Sequence, residues 1–261
     1  MPVHSENISR ESVEQAIWSK SVHVFYQPIW NTTKKEVSSY EALMRLMLSD
    51  GRMLTPDQFL NEAREIGRYE ALEKSFIQQM CKTFDGTSHK FSFNFFVQDI
   101  LNPDLRNFAI KNLIQHQLIN QVCIEVLEWD KTNDYDEFSR ELSSLRALGI
   151  KIALDDFFKD YSTLRRLIRL RNLAGNNAPV DIIKVDRSHI DGIALNAYLQ
   201  GKISKLRQRI NDTDIQLVAE GVETHADHQK LHDLGMNNIQ GFLIGRPQPG
   251  LYSPTGVLAL Q

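Results

Sequence analysis

The chain has 261 residues, 42% of them hydrophobic and 24% charged, which is globular composition with length enough for one large α/β domain. A formal charge of −3, from 30 Lys and Arg against 33 Asp and Glu, argues against bulk attraction to a nucleic acid polymer or an anionic membrane. No apolar run is long enough to cross a bilayer and the start, MPVHSENISRE, has no secretory pattern; with only Cys81 and Cys123, a reducing, cytoplasmic setting is expected. In chain order, SRESVEQAIWSK has helical spacing with Ser9 as N-cap, and the β-branched and aromatic run HVFYQPIW reads as the first strand. NTTKKE then leads directly into SSYEALMR, the second strand. TPDQFLNEAREIG carries Thr55 as N-cap and Pro56 in the first helical position, and YEALEKSFIQQMCKTF follows Gly67 as another helix.

FSFNFF, VCIEVLE, IKIALDD, DIIKVD, IQLVAEG and IQGFLIG read as six further strands. The segments between them have helical periodicity: NPDLRNFAIKNLIQH, DYDEFSRELSSLRALG, STLRRLIRLRNLAG, RSHIDGIALNAYLQGKISKLRQRIN and THADHQKLHDLG. Residues 171–179 read as an exposed loop. Eight strands alternating with helices predict a closed parallel barrel. The six residues of NTTKKE are too few for a parallel crossover, which needs about a dozen, so the first two strands are predicted to pair antiparallel. The expectation is an α/β modified TIM (β/α)8 barrel with one antiparallel strand, formed by residues 1–261 as a single domain.

Most of these strands end in a residue that carries chemistry. Glu41, Asn94, Glu125, Asp155, Asp156 and Glu220 supply oxygen donors, and Lys184 is the one cation at a strand tip. In such a barrel the strand ends converge on one face. Hard oxygen ligands in that number suit Mg²⁺, Mn²⁺ or Ca²⁺, and paired acids such as Asp155-Asp156 suit two neighbouring ions clamping an in-line displacement at phosphorus. Lys184 is open to two readings, a cation at the attacking water or a buried ion-pair partner of Asp186. Arg45 has the chemistry of a phosphate contact. His225 and His228, three apart on a helix, read as a solvated face.

In order along the chain stand Tyr26-Gln27-Pro28-Ile29, Glu41-Ala42-Leu43 with Arg45, Asn94, Glu125-x-x-Glu128, Asp155-Asp156-Phe157, Lys184-Val185-Asp186, Ala219-Glu220-Gly221-Val222-Glu223 and Gln240-Gly241-Phe242 with Gly245-Arg246-Pro247. Together they resemble the EAL domain, the bacterial cyclic di-GMP phosphodiesterase, over residues 10–250. The resemblance implies hydrolysis of cyclic di-GMP to linear pGpG with two Mg²⁺ or Mn²⁺ ions, inhibition by Ca²⁺, and a homodimer. It assigns Glu41, Asn94, Glu125 and Asp155 to one metal, and Asp155, Asp156 and Glu220 to the other. Lys184, with Glu220 and Glu41, is given the catalytic role, and Gln27, Leu43, Arg45, Gln240, Gly241 and Pro247 the substrate. Glu128 would steady the loop after the paired aspartates, and Glu223 would support the ligands from behind.

The sequence departs from that family where glycines ordinarily follow the paired aspartates: Phe158, Lys159 and Asp160 stand there instead. This loop is expected to slow turnover. The alternative expectation is a barrel that binds cyclic di-GMP or a protein partner without hydrolysing it. The following helix is unusually basic, with Arg165, Arg166, Arg169 and Arg171.

Overall fold

The computed structural model describes residues 8–127, 134–158, 163–173 and 180–252. Helix α1 (Arg10–Trp18) starts at Ser9, whose hydroxyl accepts from the Ser12 amide at 3.3 Å. Strands β1 (Val22–Asn31) and β2 (Glu36–Met47) form the expected antiparallel hairpin, in register from Val22 opposite Leu46 to Asn31 opposite Glu36, with one irregularity at Ile29/Trp30. The short β3 (Met53–Leu54) adds to the outer end of β2. Helix α2 (Pro56–Glu65) follows, and the Gln58 side chain reaches back to accept from the Thr55 amide at 2.9 Å.

The chain then continues through α3 (Tyr69–Phe84), β4 (Phe91–Phe96), α4 (Val97–Leu101), α5 (Pro103–Gln115), β5 (Val122–Leu127), α6 (Tyr135–Ala147) and β6 (Lys151–Phe157). It is completed by α7 (Thr163–Leu173), β7 (Ile182–Val185), α8 (Ala197–Ile210), β8 (Gln216–Ala219), α9 (His225–Asp233), β9 (Asn238–Gln240) and the two-residue β10 (Gln248–Pro249). Neighbours run β1-β2-β4-β5-β6-β7-β8-β9 and back to β1, which closes an eight-stranded barrel. Pairings from β2 round to β9 are parallel, while β1 is antiparallel to both β2 and β9. The single reversed strand predicted from the short connection is therefore β1. Its reversal carries the β1–β2 turn to the N-terminal mouth of the barrel.

Alternation sorts each strand into two faces. In β4 the outward residues Phe91, Phe93 and Phe95 are buried against helices, and Phe84 of α3 stacks on Phe91 at 4.0 Å. Leu72, Phe76, Ile77 and Met80 complete that contact from α3, each side chain stabilising by about 1.5–3 kcal/mol when fully buried. The inward residues of the same strand are polar, Ser92 and Asn94.

Two local expectations are corrected. Residues 171–173 are not loop, because α7 extends to Leu173; residues 174–179 lie outside the described ones. The segment after β7 is not one long helix. It forms 3-10 turns at Arg187–His189 and Ile193–Leu195, Gly192 adopts φ 72°, and Asn196 caps α8 by accepting from the Tyr198 and Leu199 amides.

Candidate metal and active site

All eight barrel strands contribute polar side chains, Glu220 from the residue just past β8, to one interior layer near the C-terminal ends of the parallel strands. The layer centres on Lys184 of β7, which is 1% exposed. Its Nζ lies 2.6 Å from Glu125 of β5, 2.7 Å from Glu220 at the end of β8, 3.3 Å from Glu41 of β2 and 3.6 Å from Asp155 of β6. Asp186 is not its partner: that carboxylate turns to the 3-10 segment and accepts from the Ser188 amide at 3.0 Å. Of the two readings of Lys184, the structure thus removes the ion pair with Asp186.

Glu41 is held from three sides. Asn94 Nδ2 donates to its Oε1 at 2.8 Å, Gln240 Nε2 donates to its Oε2 at 2.6 Å, and Lys184 faces the same Oε2. Gln240 also donates to Gln27 Oε1 at 3.1 Å, and Gln27 donates onward to the Gly245 carbonyl at 3.0 Å. Gly241 is needed for this placement. A Cβ there would stand 2.1 Å from the Val222 carbonyl oxygen, so a side chain would push the Gln240 segment off the loop carrying Glu220. Val222 and Leu243 stitch the same contact through the bonds Val222 N to Gln240 O and Leu243 N to Val222 O.

Strict alternation would send Asp155 and Asp156 to opposite faces. Instead Asp156 adopts φ 53° and the β6–β7 register slips between Leu154 and Phe157. The irregularity re-aims the side chain, and Asp155, Asp156 and Glu220 each offer an oxygen within 4.8 Å of the others. Phe158 follows in the left-handed region at φ 79°, its ring packed edge-on against Phe157 at 4.9 Å.

Burial opposes the Lys184 ammonium, but Asp155, Glu125, Glu220 and Glu41 outweigh it and hold the lysine pKa well above its ordinary value. The acids crowd one another. Burial and then Glu41 push Glu125 up to about 8, burial and then Asp155 raise Glu220 well above its usual range, and Asp155 is raised mainly by burial. Glu41 goes the other way: Lys184 and the donors Gln240 and Asn94 overcome its burial and lower it. Among the described residues, and counting Asp156, five carboxylates gather around one ammonium. That excess is costly in a buried site unless cations balance it. Asn94 Oδ1 is buried without a hydrogen-bond partner, an oxygen aimed where a ligand would use it. All the donors are oxygens. The donor set fits hard divalent cations such as Mg²⁺ or Mn²⁺.

The remaining candidates lie around or away from this layer. Leu43 and Arg45 follow Glu41 on the inner face of β2, and the Arg45 guanidinium donates to the Met44 carbonyl at 2.8 Å and stands 5.6 Å from the Phe25 ring centroid. Pro247 is half-buried just before β10. Glu223 is not drawn into the cluster; it is exposed and pairs with Arg187 at 3.0 Å. Glu128, Lys159 and Asp160 lie outside the described residues, as do the side chains of Arg165, Arg166 and Arg171, whereas Arg169 stacks over Tyr135 at 4.4 Å. His225 is exposed and His228 half-buried, with its Nε2 unpartnered. Sequence reasoning missed Ser92. It precedes Asn94 by two residues, so the alternation of FSFNFF would have placed it inside the barrel.

Fold and site together define a β/α barrel with an acidic centre suited to divalent cations. The family model of the EAL domain matches residues 10–247, and the chain belongs to that family. It is 28% identical over 253 residues to the signaling protein YkoW of Bacillus subtilis, covering 95% of this chain and 30% of that protein. It is 29% identical over 244 residues to MucR of Pseudomonas aeruginosa, a bifunctional diguanylate cyclase/cyclic di-GMP phosphodiesterase, covering 91% and 34%. The chain spans about a third of the length of these relatives. Among solved structures, the MucR phosphodiesterase in complex with cyclic di-GMP superposes with a TM-score of 0.77 at 29% identity, covering 92% of this chain and 96% of that one. An EAL domain protein from Listeria monocytogenes shares the fold with a TM-score of 0.81 at 23% identity, covering 94% and 96%.

Proposed function

We propose that this chain, working as a single barrel domain, hydrolyses one phosphodiester bond of cyclic di-GMP to give linear pGpG. The observation that carries the proposal is the Lys184 ammonium inside four carboxylates, with Asp156 beside them. Glu41, Asn94, Glu125 and Asp155 would hold one divalent cation, and Asp155, Asp156 and Glu220 a second. When bound, the cations supply positive charge that activates water and stabilises charge developing on the phosphoryl oxygens.

The chain's own residues do the rest. Lys184 orients the attacking water and offsets charge at phosphorus. The water oxygen forms the new P–O bond while the bond from phosphorus to the ribose oxygen breaks. The carboxylate layer around Lys184 takes up the water's proton, and the leaving ribose oxygen keeps the bonding pair and takes a proton from solvent to become the free hydroxyl. Gln240 and Gln27 keep Glu41 oriented through the relay that ends on the Gly245 carbonyl. Arg45 and Leu43 meet the substrate on the outer side of Glu41, with Gly241 and Pro247 across the site. Mg²⁺ or Mn²⁺ is the activating ion and Ca²⁺ inhibits; the active form is a cytoplasmic homodimer.

The purified chain is incubated with cyclic di-GMP and Mg²⁺ or Mn²⁺, and pGpG is followed by chromatography. Product is expected, and it is lost on chelation and in Glu41→Ala. A second reading, a barrel that binds cyclic di-GMP without turnover, is favoured by Phe158, a bulky side chain held at positive φ beside the acid pair. Binding that survives chelation with no pGpG would replace the first reading with this one.

A further inference from the structure

Beneath the acidic layer the barrel is hollow. TIM barrels ordinarily fill this level with bulky branched side chains. Here small residues, Ser39, Ser92 and Cys123, help line a cavity of about 250 Å³ that reaches Glu125 and Lys184 at one end and the N-terminal mouth at the other. That volume is slightly below the roughly 300–1,000 Å³ of pockets for drug-sized ligands, so it suits a smaller molecule.

The mouth is basic in a chain whose net charge is −3. Lys34, Lys90 and Lys151 all line the cavity. Lys34 is there because β1 is reversed: its turn descends to this mouth, fixed by the Lys34 amide donating to Asn31 Oδ1 at 2.8 Å. Lys34 lies 3.9 Å from Glu36, a long contact between exposed groups. Lys90 and Lys151 have no ion pair among the described residues. The acid at the start of β7, Asp181, is already matched by Arg146, which donates to its two oxygens at 2.9 and 3.0 Å.

A second observation is independent of charge. Ser92 is 4% exposed, lines the cavity, and its Oγ has no hydrogen-bond partner. Gln121 Oε1, also buried and on the cavity wall, has none either. Buried polar groups are nearly always satisfied, so these two point to an occupant. The Ser92 hydroxyl can donate, and so can the Gln121 amide once turned about its last bond.

We propose that this cavity is a second binding site, entered from the N-terminal mouth, for a small dianionic phosphate. The lysines supply charge, and Ser92 and Gln121 supply donors deeper in. The site faces away from the catalytic opening.

Titration calorimetry with inorganic phosphate on the full chain in EDTA tests this. Saturable binding of one phosphate per chain is expected. Reversing Lys90→Glu and Lys151→Glu together weakens it at least about tenfold, and Ser92→Leu, which fills the cavity, weakens it too. Lys90 is exposed and Lys151 half-buried at the start of β6, and the melting curve of the double variant checks that the fold is kept. Arg45→Ala leaves the affinity unchanged. Competition by glycerol phosphate identifies phosphate monoesters as the ligand class; its failure identifies the free ion. Absence of saturable binding overturns the proposal. So does binding that is lost in Arg45→Ala but indifferent to the lysine reversals, since that locates phosphate on the catalytic face.

Discussion

Lys184 shows how much a single residue can settle. Among the described residues its ammonium is the one cation within ion-pair reach of Glu41, Glu125, Asp155 and Glu220 together, with Glu125 at 2.6 Å and Glu220 at 2.7 Å. Lys184→Met keeps the stem but leaves those carboxylates uncompensated. In EDTA it is expected to lose about 3–5 kcal/mol of stability, the usual cost of breaking a buried pair from one side, and pGpG formation is expected to vanish. Equal urea midpoints for variant and parent in EDTA would contradict the geometry. Phe158 poses the opposite problem, since a non-glycine residue at φ 79° carries about 1–2 kcal/mol of strain. Phe158→Gly relieves the strain and loses a half-buried ring, worth roughly half of the ~3 kcal/mol for full burial. The two nearly cancel. Phe158→Ala loses the ring and keeps the strain, so its melting temperature is expected to fall below that of Phe158→Gly, and faster turnover is expected only in the glycine variant. The reverse order of stabilities would mean that the backbone there is unstrained. That Glu41, Asn94, Glu125, Asp155, Glu220 and Lys184 gather in one layer was legible in the sequence because an apolar strand run leads into each. That Asp155 and Asp156 share one site was not derivable from alternation; it depends on the slip in β6 and on the positive φ of Asp156.

Elements were legible where periodicity and chain length both spoke. The reversal of β1 followed from six linking residues, and α2 from Thr55 and Pro56. Helix breaks decided by one backbone angle, as at Gly192, carried no periodic signal. Tertiary burial was also hidden, as in the seam between α3 and the end of β4. Glu73 of α3 is 4% exposed and faces Asp99 of α4, which accepts from Tyr69 at 2.6 Å and from the Phe96 amide at 2.8 Å. Burial, then Asp99, pushes the Glu73 carboxyl from 4.5 up to about 8, against Tyr69 and Arg64, which pull it down. The folded state thus holds the proton more tightly than the unfolded chain does. This group's stabilisation is fully present below about pH 4.5 and is lost as pH rises through about 8. Glu73→Gln mimics the protonated form. Its urea midpoint is expected to match the parent at pH 5 and to exceed it at pH 8.5 and above. A difference that does not change with pH would show that the seam tolerates the charge.

At the scale of the whole molecule, closure of the barrel brings acids from strands far apart in sequence into one layer. Glu41 and Glu220 both lie within hydrogen-bond or ion-pair reach of Lys184 although 179 residues separate them by number. The folded chain therefore carries a concentrated negative charge that the unfolded chain disperses. Cations that bind only the folded form stabilise it by mass action, by about 2.7 kcal/mol at a hundredfold excess over Kd. For a domain of this size each kcal/mol moves the melting temperature by roughly 2–4 °C. Mg²⁺ or Mn²⁺ at that excess is accordingly expected to raise the melting temperature by roughly 5–10 °C over the protein in EDTA. Asp155→Asn removes one charge from the crowd and a ligand from both proposed cation sites. It is expected to melt higher than the parent in EDTA and to gain little from either ion, because relief of repulsion and loss of the ligand come from the same carboxylate. Differential scanning calorimetry of both proteins with and without metal separates the terms. A parent indifferent to metal would mean that Lys184 alone balances the layer; a variant that still gains the full shift would move the ions away from Asp155.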